Sequence, residues 1–126
     1  GVMASGSRVH SRHLDEASAQ FTYASGGVAR LRASRASDVR ERTMRVVYPS
    51  GEIAIDFLTR KLQNSTPYDV RVDIAAALPD PLGAADEGFY AACLGLARSP
   101  VPAHGAVAAV AMAEAAEAAA LAKIDA

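Results

Sequence analysis

From residue 16 onward, apolar and polar positions alternate with a period of two. Ala17, Ala19, Phe21 and Tyr23 are interleaved with Ser18, Gln20 and Thr22. Successive side chains of a strand point to opposite faces, so this pattern predicts a strand with one buried face. Ser25-Gly26-Gly27 supplies the positive-φ residues of a tight hairpin. The next run repeats the alternation, with Ala29, Leu31 and Ala33 inward and Arg30, Arg32 and Ser34 outward. Beyond a polar loop at 36–41, Met44, Val46 and Tyr48 oppose Arg45 and Val47. Pro49-Ser50-Gly51 then turns the chain, and Ile53, Ile55 and Phe57 oppose Ala54 and Asp56. Residues 2–9 predict an earlier strand, weakened by Gly6. A polar segment at 10–16 leads out of it. Residues 59–64 suit a sixth, edge-like strand, because Arg60 and Lys61 protect an exposed edge.

The period changes after residue 80. Residues 65–80 carry Pro67 and Pro79 and are expected to be loop, although Val70, Val72 and Ile74 alternate with Arg71 and Asp73. Asp80-Pro81 is a helix start, an N-cap acid followed by proline at the first helical position. Leu82, Ala85, Phe89, Ala92 and Leu96 then define an apolar stripe that Arg98-Ser99-Pro100 ends. A last helix is expected over 105–123. Its alanines favour helix but blur its apolar face, and Val107, Val110, Leu121 and Ile124 are its core candidates. The expected fold is α+β, a single domain over 1–126 with a mostly antiparallel open sheet of five or six strands and two helices packed on one face. The uncovered face would present Ser18, Gln20, Thr22, Arg30, Arg32, Arg45, Val47 and Asp56. It must be solvated, docked on another domain, or used for self-association.

Composition narrows the class. A chain of 126 residues, 51% apolar and 21% charged, can bury a core. A net charge of -1 gives no overall attraction to nucleic acid or anionic membranes. The arginines at 30, 32, 35, 40, 42 and 45 are clustered, but no aromatics interleave with them and Asp38 and Glu41 dilute their field. The reading is a polar sheet face without nucleic acid, in which Arg35 offers the planar fork that suits phosphate. Cys93 is alone, so no internal disulfide forms, which suits a reducing cytoplasm. No uninterrupted apolar run of about 20 residues suits a bilayer span; Glu114, Glu117 and Lys123 break the alanine-rich end. No membrane partner is expected. The abrupt start, Gly1-Val2-Met3, suggests a piece of a longer protein.

The ordered string GGVARLRASR, MRVVYPSGEIAIDFLTRKLQN, DPLGAADEGFYAACLG and PVPAHGAVAAVAMAEAAE resembles the C-terminal domain of the Gfo/Idh/MocA oxidoreductases, the glucose–fructose oxidoreductase and inositol dehydrogenase family. The matching features are a strand closing in Ser34-Arg35, a Gly-x-Ile-x-Ile-Asp strand at 51–56, the Asp80-Pro81-Leu82 helix start, a Pro-Val-Pro linker and an alanine-rich last helix. The resemblance implies an NAD- or NADP-dependent dehydrogenase of a sugar or polyol. An N-terminal Rossmann domain, missing here, would bind the cofactor, while this part shapes the substrate pocket and a homo-oligomer interface. The chain departs from the family's full pattern: it has no Gly-x-Gly-x-x-Gly and no Glu-Lys-Pro. Its only lysines are Lys61 and Lys123. No catalytic, cofactor-binding or metal-binding residue is therefore expected in this fragment, which alone should be inactive. An upstream region of about 120 to 180 residues with a dinucleotide fingerprint is expected. The alternative is a free-standing ligand-binding or self-association module without cofactor.

By position in that architecture, His13, Asp15 and Arg35 are expected at the substrate-cleft rim, and Gln20, Arg30, Arg32 and Arg45 on the oligomer face. His10, His13 and Asp15 could supply metal donors, but their spacing fits no common ligand motif, and the plainer reading is a polar loop. Cys93 is expected as a small buried hydrophobe. Glu114 and Glu117 are expected on a solvated helix face, and His104 as a cap or interface residue.

Overall fold

The computed structural model describes residues 1–125, and the chain divides into two compact units, Gly1–Asp38 with the segment from Val101 onward, and Val39–Pro100. The class is α+β with antiparallel pairing, and all six expected strands are present. They form two three-stranded sheets instead of one.

In the first unit, β1 (Val2–Ser7), β2 (Glu16–Thr22) and β3 (Val28–Ser34) run in that order. The register aligns Ala4, Ala19 and Leu31 in one row and Met3, Gln20 and Arg30 in the next, so the apolar and polar faces fall as the alternation predicts. Gly6 has a reason to sit inside β1: a Cβ there would lie 2.7 Å from the backbone oxygen of Glu16. The last helix, here α3 (Ala103–Ile124), lies against β1 and reaches β2 but not β3. Ala4 and Ala120, one from each side of this contact, are the two buried apolar residues of the described chain. Small side chains at both positions let backbone approach backbone. Leu31 on β3, beyond the helix, stays 53% exposed.

The helix phase differs from expectation. Val107 and Val110 are exposed, as is Ile124 at the far end. The enclosed side of α3 instead carries Met112, Ala116, Ala119 and Ala120, with Leu121 half-buried. Alanine offers little contrast between faces, so the valines carried a signal that packing did not follow. By length and composition, α3 is also apolar enough to cross a bilayer, with a mean hydropathy of 1.5 in its best window.

The second unit contains β4 (Thr43–Tyr48), β5 (Gly51–Asp56) and β6 (Lys61–Asn64), with β5 central. Val46, Ile53, Ile55 and Leu62 share one face and are half-buried; Met44, Tyr48 and Phe57, expected inside, are exposed. Gly51 is required where it stands: its φ is +142°, and a Cβ would meet the Ser65 backbone oxygen at 2.6 Å. The β5–β6 loop is held by Asp56, whose Oδ1 accepts from the Leu58 and Thr59 amides at 2.8 and 3.2 Å and whose Oδ2 accepts from Thr59 Oγ1 at 2.7 Å. These bonds, the Thr59 hydroxyl first, hold its carboxyl below the usual range.

At the end of β6, Asn64 accepts from the Thr66 amide at 2.9 Å and donates to the Tyr68 carbonyl at 2.7 Å, which closes a turn. The expected loop contains one helical turn, α1 (Ile74–Ala77). The following helix, α2 (Pro81–Cys93), starts as read: Asp80 Oδ1 accepts from the Gly83 amide at 2.9 Å and Pro81 opens the helix. It ends five residues before Arg98. Gly95 adopts φ +70°, Leu96 N–H donates to Ala91 at 2.9 Å and Gly95 N–H to Ala92 at 3.1 Å, the two bonds of a Schellman stop. Within its own unit α2 lies against none of the strands. Its stripe of Leu82, Phe89 and Leu96 is exposed, as is Cys93, each expected inside.

Candidate functional site

The densest polar construction is the loop between β1 and β2, where a buried carboxylate organises the backbone. Asp15 is 4% exposed. Its Oδ2 accepts from three consecutive amides, Val9 at 2.7 Å, His10 at 2.8 Å and Ser11 at 3.0 Å. Its Oδ1 accepts from Ser11 Oγ at 3.2 Å and from Arg35 Nε at 2.6 Å. A carboxylate that receives several donors is held in its charged form. The His10 amide is the largest contributor, burial opposes it, and the Val9 amide, Arg35 and the Ser11 amide add to it; the Asp15 carboxyl titrates well below the usual 3.8.

Arg35 follows the last residue of β3 and reaches this loop by two routes. Its Nε meets Asp15, and its Nη2 donates to Ser11 Oγ at 2.6 Å. The backbone is tied in parallel, Arg35 N–H donating to the Asp15 carbonyl at 2.9 Å. Ser11 Oγ also accepts from the His13 amide at 3.1 Å. The loop is thus clamped to the end of β3, while the Arg35 side chain remains 58% exposed. Next to it, Glu16 bridges the three strands, accepting from Ser34 Oγ at 2.9 Å and Ser7 Oγ at 3.3 Å.

Of the residues expected at the rim, Asp15 and Arg35 are in direct contact, and His13 lies in the same loop with its side chain exposed. Ser11 went unnoticed in the sequence; its spacing of four from Asp15 in a polar segment was the available signal. Both Asp15 oxygens are engaged, by the loop and by Arg35. Among the described residues no group of three or more His, Cys, Asp or Glu side chains is placed to hold a metal ion.

On the polar face of the first sheet, Gln20 and Arg30 are register partners, and Arg30 Nε donates to Gln20 Oε1 at 2.9 Å. Arg32 lies on the same face. Arg45 belongs to the other sheet, where it approaches Glu52 at 3.6 Å. An open depression of about 400 Å³ is lined by residues 3–5, 18–20 and 30–32 and by Lys123. Glu114 and Glu117 are exposed on α3, and His104 is exposed in its first turn. All strand pairings in the described residues are antiparallel.

No protein-family profile matches this chain, and no curated protein matches its sequence. Its fold does match solved structures. Two structures of UDP-N-acetylglucosamine 3-dehydrogenase GnnA from Acidithiobacillus ferrooxidans superpose with TM-scores of 0.78 and 0.75, at 25% and 24% identity. Each match covers 95% of this chain and 39% of the dehydrogenase. The chain therefore has the fold of part of an oxidoreductase and spans well under half of its length.

Proposed function

We propose that this chain is the C-terminal, substrate-shaping and oligomerising part of an NAD(P)-dependent oxidoreductase of the Gfo/Idh/MocA type, acting on a sugar or polyol and, within that class, on a nucleotide-linked sugar. The observation that carries the reading is the match over 95% of the chain to a dehydrogenase whose substrate is a nucleotide sugar. The ordered motifs that resemble the family support it independently.

In this reading NAD or NADP is bound by an N-terminal Rossmann domain outside these residues, as the family resemblance implies. The cofactor supplies the hydride chemistry. These residues supply a platform, with the Asp15–Arg35 clamp at its rim and the polar face of Gln20, Arg30 and Arg32 available to a second subunit. The fragment alone binds no cofactor and is inactive. The cytoplasm is the proposed location, without nucleic-acid or membrane partners. The packing of α3 on β1 and the two glutamates midway along it support a helix that docks on protein.

The test is expression of the encoding reading frame together with any upstream region, followed by NAD(P)H formation with UDP-N-acetylglucosamine. The long form should reduce the dinucleotide and the 126-residue chain should not. A reading frame without a dinucleotide fingerprint, or a long form that turns over no nucleotide sugar, overturns the proposal.

A further inference from the structure

We infer that Arg35, with the loop it is pinned to, is a phosphoryl-contact site that grips the diphosphate of a nucleotide-linked substrate. The identity of the ligand rests on the function proposed above, whereas the anion site itself rests on geometry.

Three observations point to it. Arg35 is anchored on its inner edge, through Nε to Asp15 and Nη2 to Ser11, both at 2.6 Å, yet its side chain is more than half exposed. A guanidinium held this way has already lost the rotamer freedom that binding would otherwise cost, and its free edge suits two phosphate oxygens. Second, the anchor is itself fixed in place. Asp15 directs its second oxygen into the Val9, His10 and Ser11 amides, so three N–H dipoles share its negative charge. Third, the clamped loop carries further basic side chains. Arg12 and His13 are exposed on the clamped loop, while the nearby acid Glu16 is engaged by Ser7 and Ser34. Arg8 is set aside, since it approaches Asp125 at 3.5 Å. Asp15 and Ser11 are thus positioning residues, and Arg35 is the contact.

Titration of the isotope-labelled chain with UDP, inorganic pyrophosphate and uridine, followed by NMR, tests this. UDP and pyrophosphate should shift the amides of residues 11–13 and the Arg35 Nε–H; uridine should leave them unmoved. Arg35→Ala should weaken pyrophosphate binding by about tenfold, the usual loss for a charge-assisted hydrogen bond. Arg35→Lys should weaken it comparably, because charge remains but the fork is gone. Arg71→Ala, in the other unit, should titrate as wild type. Should Arg35→Ala disturb the fold, Arg12→Ala leaves the clamp intact and should still reduce affinity. Shifts that are absent, that spread evenly over the basic surface, or that persist unchanged in both Arg35 variants overturn the site. Pyrophosphate binding at Arg35 in a protein whose long form turns over no nucleotide sugar supports the site and removes only the functional reading. Turnover with an unchanged KM in Arg35→Lys removes only the site.

Discussion

The two units are built from the same part, a three-stranded antiparallel sheet, yet they hold their helices by different means. In the first, α3 is bound by packing: Ala4 and Ala120 bring helix and strand together and are buried there. In the second, α2 has well-formed ends, Asp80 and Pro81 at one and the Gly95 stop at the other, but lies on no strand of its unit. Leu82 and Phe89 on it, and Leu96 just past its end, are each more than 60% exposed. Capping satisfies backbone groups locally, whereas burial needs a second surface. An amphipathic pattern therefore announces that a helix can be covered without supplying the cover.

The largest expected effect falls on the packed helix. Ala120→Leu forces an isobutyl group between α3 and β1 and should destabilise the first unit by roughly 1–3 kcal/mol. Val110→Leu on the exposed part of the same helix should change little. Equal denaturation midpoints for the two variants would show that α3 does not depend on this contact.

A second effect is read in the first unit, at the loop between β1 and β2. The Asp15 carboxyl is depressed in the folded chain, so its contribution is complete above about 3.8, the ordinary value, and is lost as pH falls towards its folded value. Acidification below pH 4 should release the 9–15 loop, read as faster amide exchange at residues 9–11. In Asp15→Asn this acid-dependent step should disappear. Protection that is flat with pH in the parent chain would contradict the role given to the carboxylate.

The smallest effects invert the usual order of side chains. In α2, Asp80→Ala should cost about 1 kcal/mol through the lost cap. Phe89→Ala should cost under about 0.5 kcal/mol, as for an exposed position. Should Phe89→Ala cost several times more than the cap, measured by helix content against denaturant, α2 is covered in solution and the contrast between the units fails.

Much of the fold was legible because it is written in local chemistry. Period-two alternation located the four strands from β2 to β5, the charges of Arg60 and Lys61 pointed to β6, and the register shows which residues share a face. Gly51, Asp80 and Pro81 marked their turn and cap for reasons a short stretch of chain already contains. Gly95 was overlooked in favour of Pro100, although a left-handed residue ends a helix as surely as a proline prevents one. At the candidate site, Asp15 and Arg35 were picked out by position, 20 residues apart, but their contact and the part of Ser11 depend on how β1, β2 and β3 align.

By itself, the sequence determined where the chain extends, turns and coils, since those choices depend on side-chain alternation, glycine conformations and caps within a few residues. Tertiary structure decided which apolar residues are enclosed and that the strands part into two sheets. It made alanines, not valines, the contact of α3, because close approach favours the smallest side chains. It also placed a carboxylate from one loop against a guanidinium from another strand's end. Such outcomes depend on which surfaces meet, and no local pattern encodes that.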